Sequence, residues 1–266
     1  MELSSAPPVL MLHALTSMIH TPWPSLGVPV TELADHLCAL RKGGYQIVGM
    51  TEALDARAAD PEARVVALTF DDGYIDLVTV GLNLLTSLGA TGTLFVPTAH
   101  VGGAATWLGP RYDEAPPLMD WNQVRTVRDA GFEIGSHSAT HPELDLLTAD
   151  RVLAQVTESR AQLRSELGVS PTGFCYPHGY HNRQARSAVE AAGYRYAVEV
   201  GHTVPGVRHD RYRLPRLMVR PGMASSTLLA WVAGRPPRVV PAVKAGLRPI
   251  WREARRLRNV GGSRAR

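Results

Sequence analysis

The sequence predicts one large α/β domain built as a (β/α) barrel. The 266-residue chain has an ordinary globular composition, with 45% hydrophobic and 20% charged residues, and is long enough to bury a full core. Short apolar, β-rich runs alternate with longer helical patterns, which is typical of parallel strands joined by crossover helices. Seven predicted strands favour a barrel over an open sheet, although the alternation alone does not separate the two.

The predicted strands are the short runs rich in β-branched and aromatic residues. They are Val9–Leu12, Val65–Phe70, Thr93–Val96, Phe132–Gly135, Gly173–Tyr176, Tyr194–Val198 and Tyr212–Leu217. The predicted helices between them are Thr31–Lys42, Tyr74–Leu88, Trp121–Ala130, Ala149–Leu167 and Asn182–Ala192. Several of these helical patterns end at a glycine, the residue most often found just after a helix.

The basic residues are concentrated at the C-terminus. The formal net charge is +4, but residues 234–266 hold ten Arg or Lys residues and one Glu, so the rest of the chain is mildly acidic. This distribution argues against a nucleic-acid-binding body. We therefore place the main domain at residues 1–233 and a basic, partly helical tail at residues 234–266. The tail favours either a helix on an anionic membrane surface or a helix that caps the barrel.

The cysteines and the N-terminus give the expected environment. Cys38 and Cys175 lie in apolar runs and fit neither a metal-binding nor a disulfide pattern, so both are expected to be buried free thiols. The first residues lack the basic start of a secretory signal, and no apolar run reaches the length of a membrane span. The expected location is cytoplasmic, with peripheral contact at the inner membrane face as an extension through the tail.

Two adjacent carboxylates, Asp71 and Asp72, directly follow the predicted strand Val65–Phe70. Neighbouring carboxylates repel each other unless positive charge compensates them, and the carboxyl ends of parallel strands are where sites are built. The structural alternative is that one of them caps the next helix by accepting from its free N–H groups. Taken alone, the pair does not decide between these interpretations.

Two histidines, His137 and His141, follow the predicted strand Phe132–Gly135. Residues four apart face the same way on a helical turn, so both imidazoles could bind one metal ion. A carboxylate from a neighbouring strand end would supply a third ligand and leave one position open for water, as in catalytic metal sites. Such a metal lowers the pKa of bound water from 15.7 towards about 7.

These two clusters resemble the motifs of the polysaccharide deacetylases, carbohydrate esterase family 4, which share the NodB homology domain. The Thr-Phe-Asp-Asp-Gly and His-Ser-x-x-His patterns match in residues and separation, and further matches are Phe174–Gly179, Arg213–Arg216 and Leu118–Trp121. The resemblance covers about residues 9–233. It implies a distorted (β/α)7 TIM-like barrel of the NodB type and a hydrolase that removes the acetyl group from an N-acetylated amino sugar, cleaving a linear amide.

The resemblance also implies roles for the first two motifs. Asp71 would be the general base, and Asp72, His137 and His141 would hold one divalent metal. A set of two histidines and one carboxylate favours Zn²⁺, with Co²⁺, Ni²⁺ and Mn²⁺ left open. The partner implied is an N-acetylated carbohydrate, and the main domain would be the catalytic domain.

The third motif would complete the substrate groove. By resemblance, Tyr176, Pro177 and His178 line one wall, and the backbone N–H of His178 stabilises the oxyanion. Here the motif departs from the family pattern, because Cys175 stands where a usual partner of the base is often found. Arg213 or, preferably, Arg216 is the candidate replacement, since an arginine beside Asp71 would keep that carboxylate ionised. The alternative is that these arginines lie on the surface.

The general acid is a second departure. Family members commonly carry a Leu-x-His motif near the C-terminus, whereas this chain has no histidine after His209. His13 follows the first predicted strand, and in a closed barrel the first and last strands are neighbours. A subgroup that resembles poly-N-acetylglucosamine deacetylases is permuted in this way, so His13 is the predicted acid. The alternative is a core histidine bonded to the backbone.

One long segment without a predicted helix or strand follows the predicted strand Thr93–Val96. Residues 97–117 form a predicted long loop, and loops of this length are usually functional or disordered. Its Trp107, like Trp121, would either stack on a sugar or pack in the core.

Two other functions stay open: hydrolysis of a non-sugar amide or imide by the same fold, and carbohydrate binding without activity. The presence of all three predicted ligands and the base argues against an inactive homologue.

Overall fold

The computed structural model describes residues 2–3, 6–16, 27–111, 115–201 and 209–235. The strands of these residues are β1 (Glu2–Leu3), β2 (Val9–Leu12), β3 (Ala14–Thr16), β4 (Gly27–Pro29), β5 (Gln46–Val48), β6 (Val65–Phe70), β7 (Thr93–Val96), β8 (Glu133–Ser136), β9 (Gly173–Cys175), β10 (Tyr196–Val200), β11 (His209–Asp210) and β12 (Leu214–Met218). The α-helices are α1 (Val30–Lys42), α2 (Met50–Ala59), α3 (Leu82–Ser87), α4 (Trp121–Asp129), α5 (Ala149–Leu167), α6 (Arg183–Ala191) and α7 (Ser225–Val232).

Seven parallel strands close into a barrel, which confirms the predicted (β/α)7 fold. The order is β2-β12-β10-β9-β8-β7-β6, and β6 pairs again with β2. Strand β5 is a branch that pairs with the first half of β6, from Gln46 opposite Val65 to Val48 opposite Ala67. The first long strand, β2, therefore lies between the last strand and the strand that ends before Asp71.

Alternation along the barrel strands separates two apolar layers. In β6, Val65 and Ala67 belong to the cluster inside the barrel, whereas Val66, Leu68 and Phe70 pack in the layer beneath the helices. Both faces of the strand are buried. This is why the parallel strands appear in the sequence as continuous apolar runs rather than as alternating ones.

Glu133 closes the barrel interior at the start of β8, the opposite end of that strand from His137. Its carboxylate accepts hydrogen bonds from Thr51 Oγ1 (2.6 Å), Thr93 Oγ1 (2.9 Å) and the Tyr196 hydroxyl (2.9 Å). A carboxylate with this many donors is satisfied and tolerates its partial burial. The interior is thus filled at this end, and the polar groups with chemistry collect at the other.

The seven predicted barrel strands and most of the predicted helices agree with the structure. Strands β1, β3, β4, β5 and β11, each only two or three residues long, were not predicted, and neither were helices α2 and α7. The helix predicted from Tyr74 begins later, with a π-helical turn at Leu77–Gly81 that continues into α3. Tyr74 instead forms an isolated antiparallel bridge with Leu118, which takes it out of any helix.

Some predictions concern residues that the structure does not describe. Residues 236–266, nearly all of the predicted tail, lie outside the described ranges, so the tail helix and the boundary at residue 233 stay predictions.

Both cysteines are free thiols, with Cys175 buried and Cys38 half-buried. In the described ranges, no helix combines the length and the hydropathy needed to cross a bilayer.

Candidate metal centre

Asp71 and Asp72 lie at the carboxyl end of β6, where the chain leaves the barrel. Both side chains are buried, and the Asp71 N–H donates to the Leu12 carbonyl of β2 (3.0 Å). The next helical turn begins only at Leu77, and the residue before it is Asp76. The helix-capping interpretation of the two carboxylates is therefore wrong.

His137 and His141 follow β8, the strand next but one to β6. They do not lie on a helical turn as the spacing suggested, because the chain from residue 137 to 141 is irregular. Ser138 and His141 both have left-handed backbone, with φ of 64° and 57°. The Ser138 Oγ accepts the His141 N–H (3.1 Å) and holds this bend. The two imidazoles converge through the bend rather than through helical periodicity.

Unusual backbone conformations are concentrated at this site. Among the described residues, the non-glycine residues with positive φ are Asp72, Ser138, His141 and His178. Left-handed backbone is uncommon outside glycine and marks positions that the surrounding structure must hold in place. All four residues belong to the three motifs that the sequence singled out.

Three ligand-type atoms converge on one point. Asp72 Oδ1 lies 3.4 Å from His137 Nε2 and 3.2 Å from His141 Nε2, and the two Nε2 atoms are 3.2 Å apart. His137 Nδ1 is 2.8 Å from the Cys175 carbonyl oxygen, which can only accept, so Nδ1 carries the proton and Nε2 presents a lone pair. Asp72 Oδ1 is buried and has no hydrogen-bond partner among the described residues. Lone pairs facing one another in a buried space fit a bound cation.

The charges of the cluster also fit a cation. Burial by itself would lower the pKa of His137, but Cys175 and Asp72 outweigh it and hold the pKa well above its usual value, so without a metal this imidazole carries the positive charge that a cation would replace. Burial lowers the pKa of His141 to about 4, so this imidazole is neutral at pH 7. Burial by itself would raise the pKa of Asp72, but the two facing imidazoles outweigh it and hold the pKa well below its usual value. A neutral imidazole and an ionised carboxylate are the forms that bind metals.

Arg216 is the fully buried partner of Asp71. Its Nη1 and Nη2 donate to the two Asp71 carboxylate oxygens, each at 2.7 Å. The remaining donors are used as well, by Thr69 Oγ1 (3.0 Å), Cys175 Sγ (3.1 Å) and the Glu199 carbonyl (3.3 Å). All five N–H groups of the guanidinium are thus satisfied, which is the condition for burying an arginine.

This pairing determines the charge of Asp71. Burial by itself would raise the pKa of Asp71, yet the Arg216 guanidinium outweighs that effect and the pKa lies below its usual value. Burial raises the pKa of the Cys175 thiol, so it stays protonated and its Sγ lies 3.5 Å from Asp71 Oδ2. Of the two candidate arginines, Arg213 instead pairs with Glu199 (3.2 Å) and is half exposed.

His13 lies beside both carboxylates. It directly follows β2, which pairs with β12 through Leu10 opposite Leu217 and with β6 through Leu12 opposite Phe70. The half-buried imidazole adds to the lowering of the pKa of both Asp71 and Asp72, after the larger effects described above. Barrel closure therefore brings the N-terminal histidine to the site.

The third motif is only partly accessible. Tyr176 is fully buried, and its hydroxyl donates to the Tyr212 carbonyl (3.0 Å) in the layer between barrel and helices. Pro177 is buried too. The exposed member is His178, whose ring centroid lies 4.6 Å from that of His141. The structure thus brings His178 to the candidate ligand His141, whereas Tyr176 is buried behind the loop and does not line a wall of the groove.

Three residues beside the site were not assigned to it from the sequence. Thr69 and Cys175 bond the buried arginine, and the Trp107 ring stacks on His141, with centroids 4.3 Å apart. Thr69 and Cys175 could have been found, because each is next to a motif residue and faces the barrel interior by strand alternation. The sequence singled out Trp107 as a ring that would stack on a sugar or pack in the core, but it offers no signal that this ring lies on His141.

Comparison with known proteins agrees with this site. The profile of the polysaccharide deacetylase family matches residues 58–197. YxkH of Bacillus subtilis (strain 168), provisionally assigned as a polysaccharide deacetylase, is 28% identical over 227 residues, which is 85% of this chain and 75% of YxkH. A chitin deacetylase of Pestalotiopsis sp is 33% identical over 129 residues, 48% of this chain and 39% of that enzyme. The solved deacetylase PplD of Streptococcus pyogenes, in complex with acetate, has a TM-score of 0.71 and 22% identity, covering 86% of this chain and 99% of PplD.

The profile spans more than half of the chain, and it includes both aspartates and both histidines. The chain therefore belongs to the polysaccharide deacetylase family, a class of metal-dependent carbohydrate N-deacetylases. The likeness to PplD, at 22% identity, shows the barrel fold. The family predicted from the motifs is thus confirmed.

Asp76 connects the two segments that carry His13 and Asp72. Its Oδ2 accepts the Leu15 N–H (2.7 Å) just after His13, and its Oδ1 is buried without a partner among the described residues. Burial raises the pKa of Asp76 from 3.8 to about 7, although the backbone N–H groups of Leu15 and Leu77 oppose this. The folded protein therefore favours the protonated carboxyl.

Asp76→Asn should change the pH dependence of stability. A raised folded pKa contributes stability that is complete below the unfolded pKa of 3.8 and is lost as pH rises through about 7. The unfolding free energy of Asp76→Asn, relative to the parent protein, should therefore rise by about 1–3 kcal/mol between pH 5 and pH 8. Urea unfolding of both proteins, with a chelator present, measures this difference. Parallel pH profiles would contradict the burial argument.

Proposed function

We propose that this chain is a metal-dependent hydrolase that removes the acetyl group from an N-acetylated amino sugar, in an oligosaccharide, polysaccharide or glycoconjugate. One observation carries the proposal: a buried, ionised Asp71 lies next to a converging set of Asp72, His137 and His141, in a chain of the polysaccharide deacetylase family. A carboxylate base close to a set of metal ligands is what amide hydrolysis by metal-activated water requires.

The proposed ligands are Asp72 Oδ1 and the Nε2 atoms of His137 and His141. A divalent cation there, most simply Zn²⁺ given two imidazoles and one carboxylate, would supply Lewis acidity that acidifies water and polarises the acetyl carbonyl. Co²⁺, Ni²⁺ and Mn²⁺ stay as alternatives. The chain's contribution is to present Nε2 of His137 by holding its Nδ1 proton on the Cys175 carbonyl, to keep His141 neutral and to keep the Asp72 carboxylate ionised.

Asp71 is the proposed base. Arg216 keeps it ionised and orients it through two parallel hydrogen bonds, so it can take a proton from the attacking water as the new C–O bond forms. Negative charge then develops on the acetyl oxygen, and the backbone N–H of His178 is the proposed donor to it. The left-handed φ of 58° at His178 turns this loop towards the ligands.

His13 is the proposed acid. It would give a proton to the sugar nitrogen as the C–N bond breaks, so that acetate and a free amine are released. Its position supports this role, since it directly follows β2, which pairs with both β6 and β12, and so lies beside the carboxylates that follow β6. The cytoplasmic location and the contact of the basic tail with an anionic membrane surface also stay proposals.

The direct test is a reaction of metal-loaded protein with N-acetylated sugars and, in parallel, with cyclic imides. Mass spectrometry should show loss of one acetyl group from the N-acetylated glycan and the appearance of acetate. Ring opening of an imide, with no change in any N-acetylated glycan, would favour the non-sugar amide or imide reaction instead.

His137→Ala and His141→Ala should each lose most of the bound divalent metal, because each removes one of three proposed ligands. Elemental analysis of dialysed protein measures the occupancy. His36→Ala is a matched control, since His36 is a buried histidine that bonds Ser225 away from the site. Full occupancy in both site variants would rule out this set of ligands.

Asp71→Asn should keep the metal but lose turnover, because it removes the base and no ligand. It should also lower the unfolding free energy by about 3–5 kcal/mol, since Arg216 is left buried without its counter-charge. Turnover is therefore measured at low temperature, after circular dichroism shows a folded protein. Near-normal turnover of folded Asp71→Asn would mean that another group is the base.

His13→Ala should lower kcat for amide hydrolysis by ~10²–10⁴, the usual effect of a placed acid. An acetyl ester with a phenolate leaving group hardly needs protonation, so its hydrolysis should fall much less. Metal content should stay unchanged, because three ligands remain. Equal loss on both substrates would indicate a structural role for His13, and no loss on either would make His178 the next candidate.

A further inference from the structure

The two histidine ligands are held in different ways. The outer ring nitrogen of each histidine is Nδ1, the one that faces away from the proposed metal. In His137 this nitrogen has a hydrogen-bond partner, the Cys175 carbonyl oxygen at 2.8 Å. His141 has none: its Nδ1 is buried and makes no hydrogen bond with any residue in the described part of the chain. In metal sites the outer nitrogen usually donates to a carboxylate or carbonyl, which fixes the plane of the ring. For His141, something else must fix that plane.

Aromatic rings enclose the His141 imidazole instead. The Trp107 ring stacks on it, with centroids 4.3 Å apart and an angle of 28° between the planes. His137 and His178 meet it edge-on, at 4.7 Å and 4.6 Å. Aromatic pairs of this kind each contribute about 0.5–1.5 kcal/mol beyond burial. The stacked ring opposes rotation of the imidazole out of the plane that directs Nε2 to Asp72.

Trp107 is itself anchored to the segments that form the site. It packs against a small buried cluster of Ala14, Tyr74, Ala105 and Leu118. Ala14 follows the proposed acid, and Tyr74 is two residues after the proposed ligand Asp72. The indole is therefore held by the chain segments that follow His13 and Asp72.

The start of the same loop is tied to the histidine segment. The Thr98 and Ala99 N–H groups donate to the carbonyls of Ser138 and Ala139, at 3.2 Å and 2.9 Å. The His100 ring meets Trp107 edge-on, with centroids 4.9 Å apart. The half-buried indole of Trp107 is therefore in contact with two histidine rings of the protein, those of His141 and His100.

We infer that Trp107 is a positioning residue for the metal centre: it holds the His141 imidazole by stacking, in place of the missing outer hydrogen bond. The inference rests on the proposed function, because it takes His141 as a ligand. The alternative role of Trp107 is that its ring serves chiefly as a platform for the sugar. The two interpretations differ in what is lost with the ring, namely metal affinity or substrate affinity.

The test is the Zn²⁺ affinity of the full chain, measured by competition with a chelator of known affinity. Trp107→Leu should weaken Zn²⁺ binding by ~10–100-fold, the usual effect of losing an outer-shell partner of a ligand. Trp107→Phe keeps a stacking ring and should stay within about threefold of the parent protein. The visible spectrum of Co²⁺-loaded Trp107→Leu should also shift, because the imidazole is no longer held in one plane.

Trp121→Leu is the matched control, since Trp121 packs against the main core under the helices. Zn²⁺ affinity of Trp107→Leu equal to that of the parent protein would overturn the inference, as would equal weakening in Trp121→Leu. A raised KM with unchanged Zn²⁺ affinity would assign Trp107 to the sugar instead. If Trp107→Leu does not fold, Trp107→Met replaces it with the same expected weakening, and parental affinity overturns the inference in the same way.

These outcomes are separable from failure of the proposed function. If His141→Ala keeps full metal occupancy, the proposed ligands are wrong and the role of Trp107 falls with them. If His141→Ala loses the metal while Trp107→Leu binds it as tightly as the parent protein, only the inference about Trp107 is overturned.

Discussion

The buried ion pair between Asp71 and Arg216 is the interaction on which the rest of the site depends. A guanidinium inside a barrel is tolerated only because every donor is used, on Asp71, Thr69, Cys175 and the Glu199 carbonyl. Removing one partner of such a pair costs several kcal/mol, since the other charge is left buried and alone. The pair therefore fixes the ionised state of Asp71 and connects the ends of β6, β9, β10 and β12 at once.

The proposed metal ligands are arranged around this pair by irregular backbone rather than by regular secondary structure. Left-handed residues at Asp72, Ser138 and His141 turn three side chains towards one point just above the barrel end. Such conformations persist only where surrounding contacts hold them. Here the contacts are the Ser138 hydroxyl on the His141 N–H, the Cys175 carbonyl on the His137 ring and the stacked indole of Trp107. Rigidity at the centre thus comes from several unlike contacts, two of them on His141 and one on His137.

Barrel closure supports the proposal that His13 takes the place of a histidine near the C-terminus. Strand β2 lies between β12 and β6, so a residue that follows β2 comes close to the carboxylates that follow β6. Asp76 then ties the segment after His13 to the segment after Asp72 through the Leu15 N–H. The proposed acid therefore comes from the N-terminal part of the sequence and reaches the site because β2 closes the sheet between β12 and β6.

The sequence by itself determined the barrel, most of its strands, the family and the identity of the carboxylates and histidines at the strand ends. These follow from local patterns, since apolar runs and adjacent motif residues are visible without knowing what they touch. It did not reveal the three-residue strand β5, the irregular bend at His137–His141 or the burial of Tyr176, and it left Arg213 and Arg216 as alternatives. Those depend on which distant residues meet. Only the tertiary structure decided that the inward-facing Arg216 reaches Asp71 and that Trp107 lies on His141, because neither contact leaves a periodic trace in the chain.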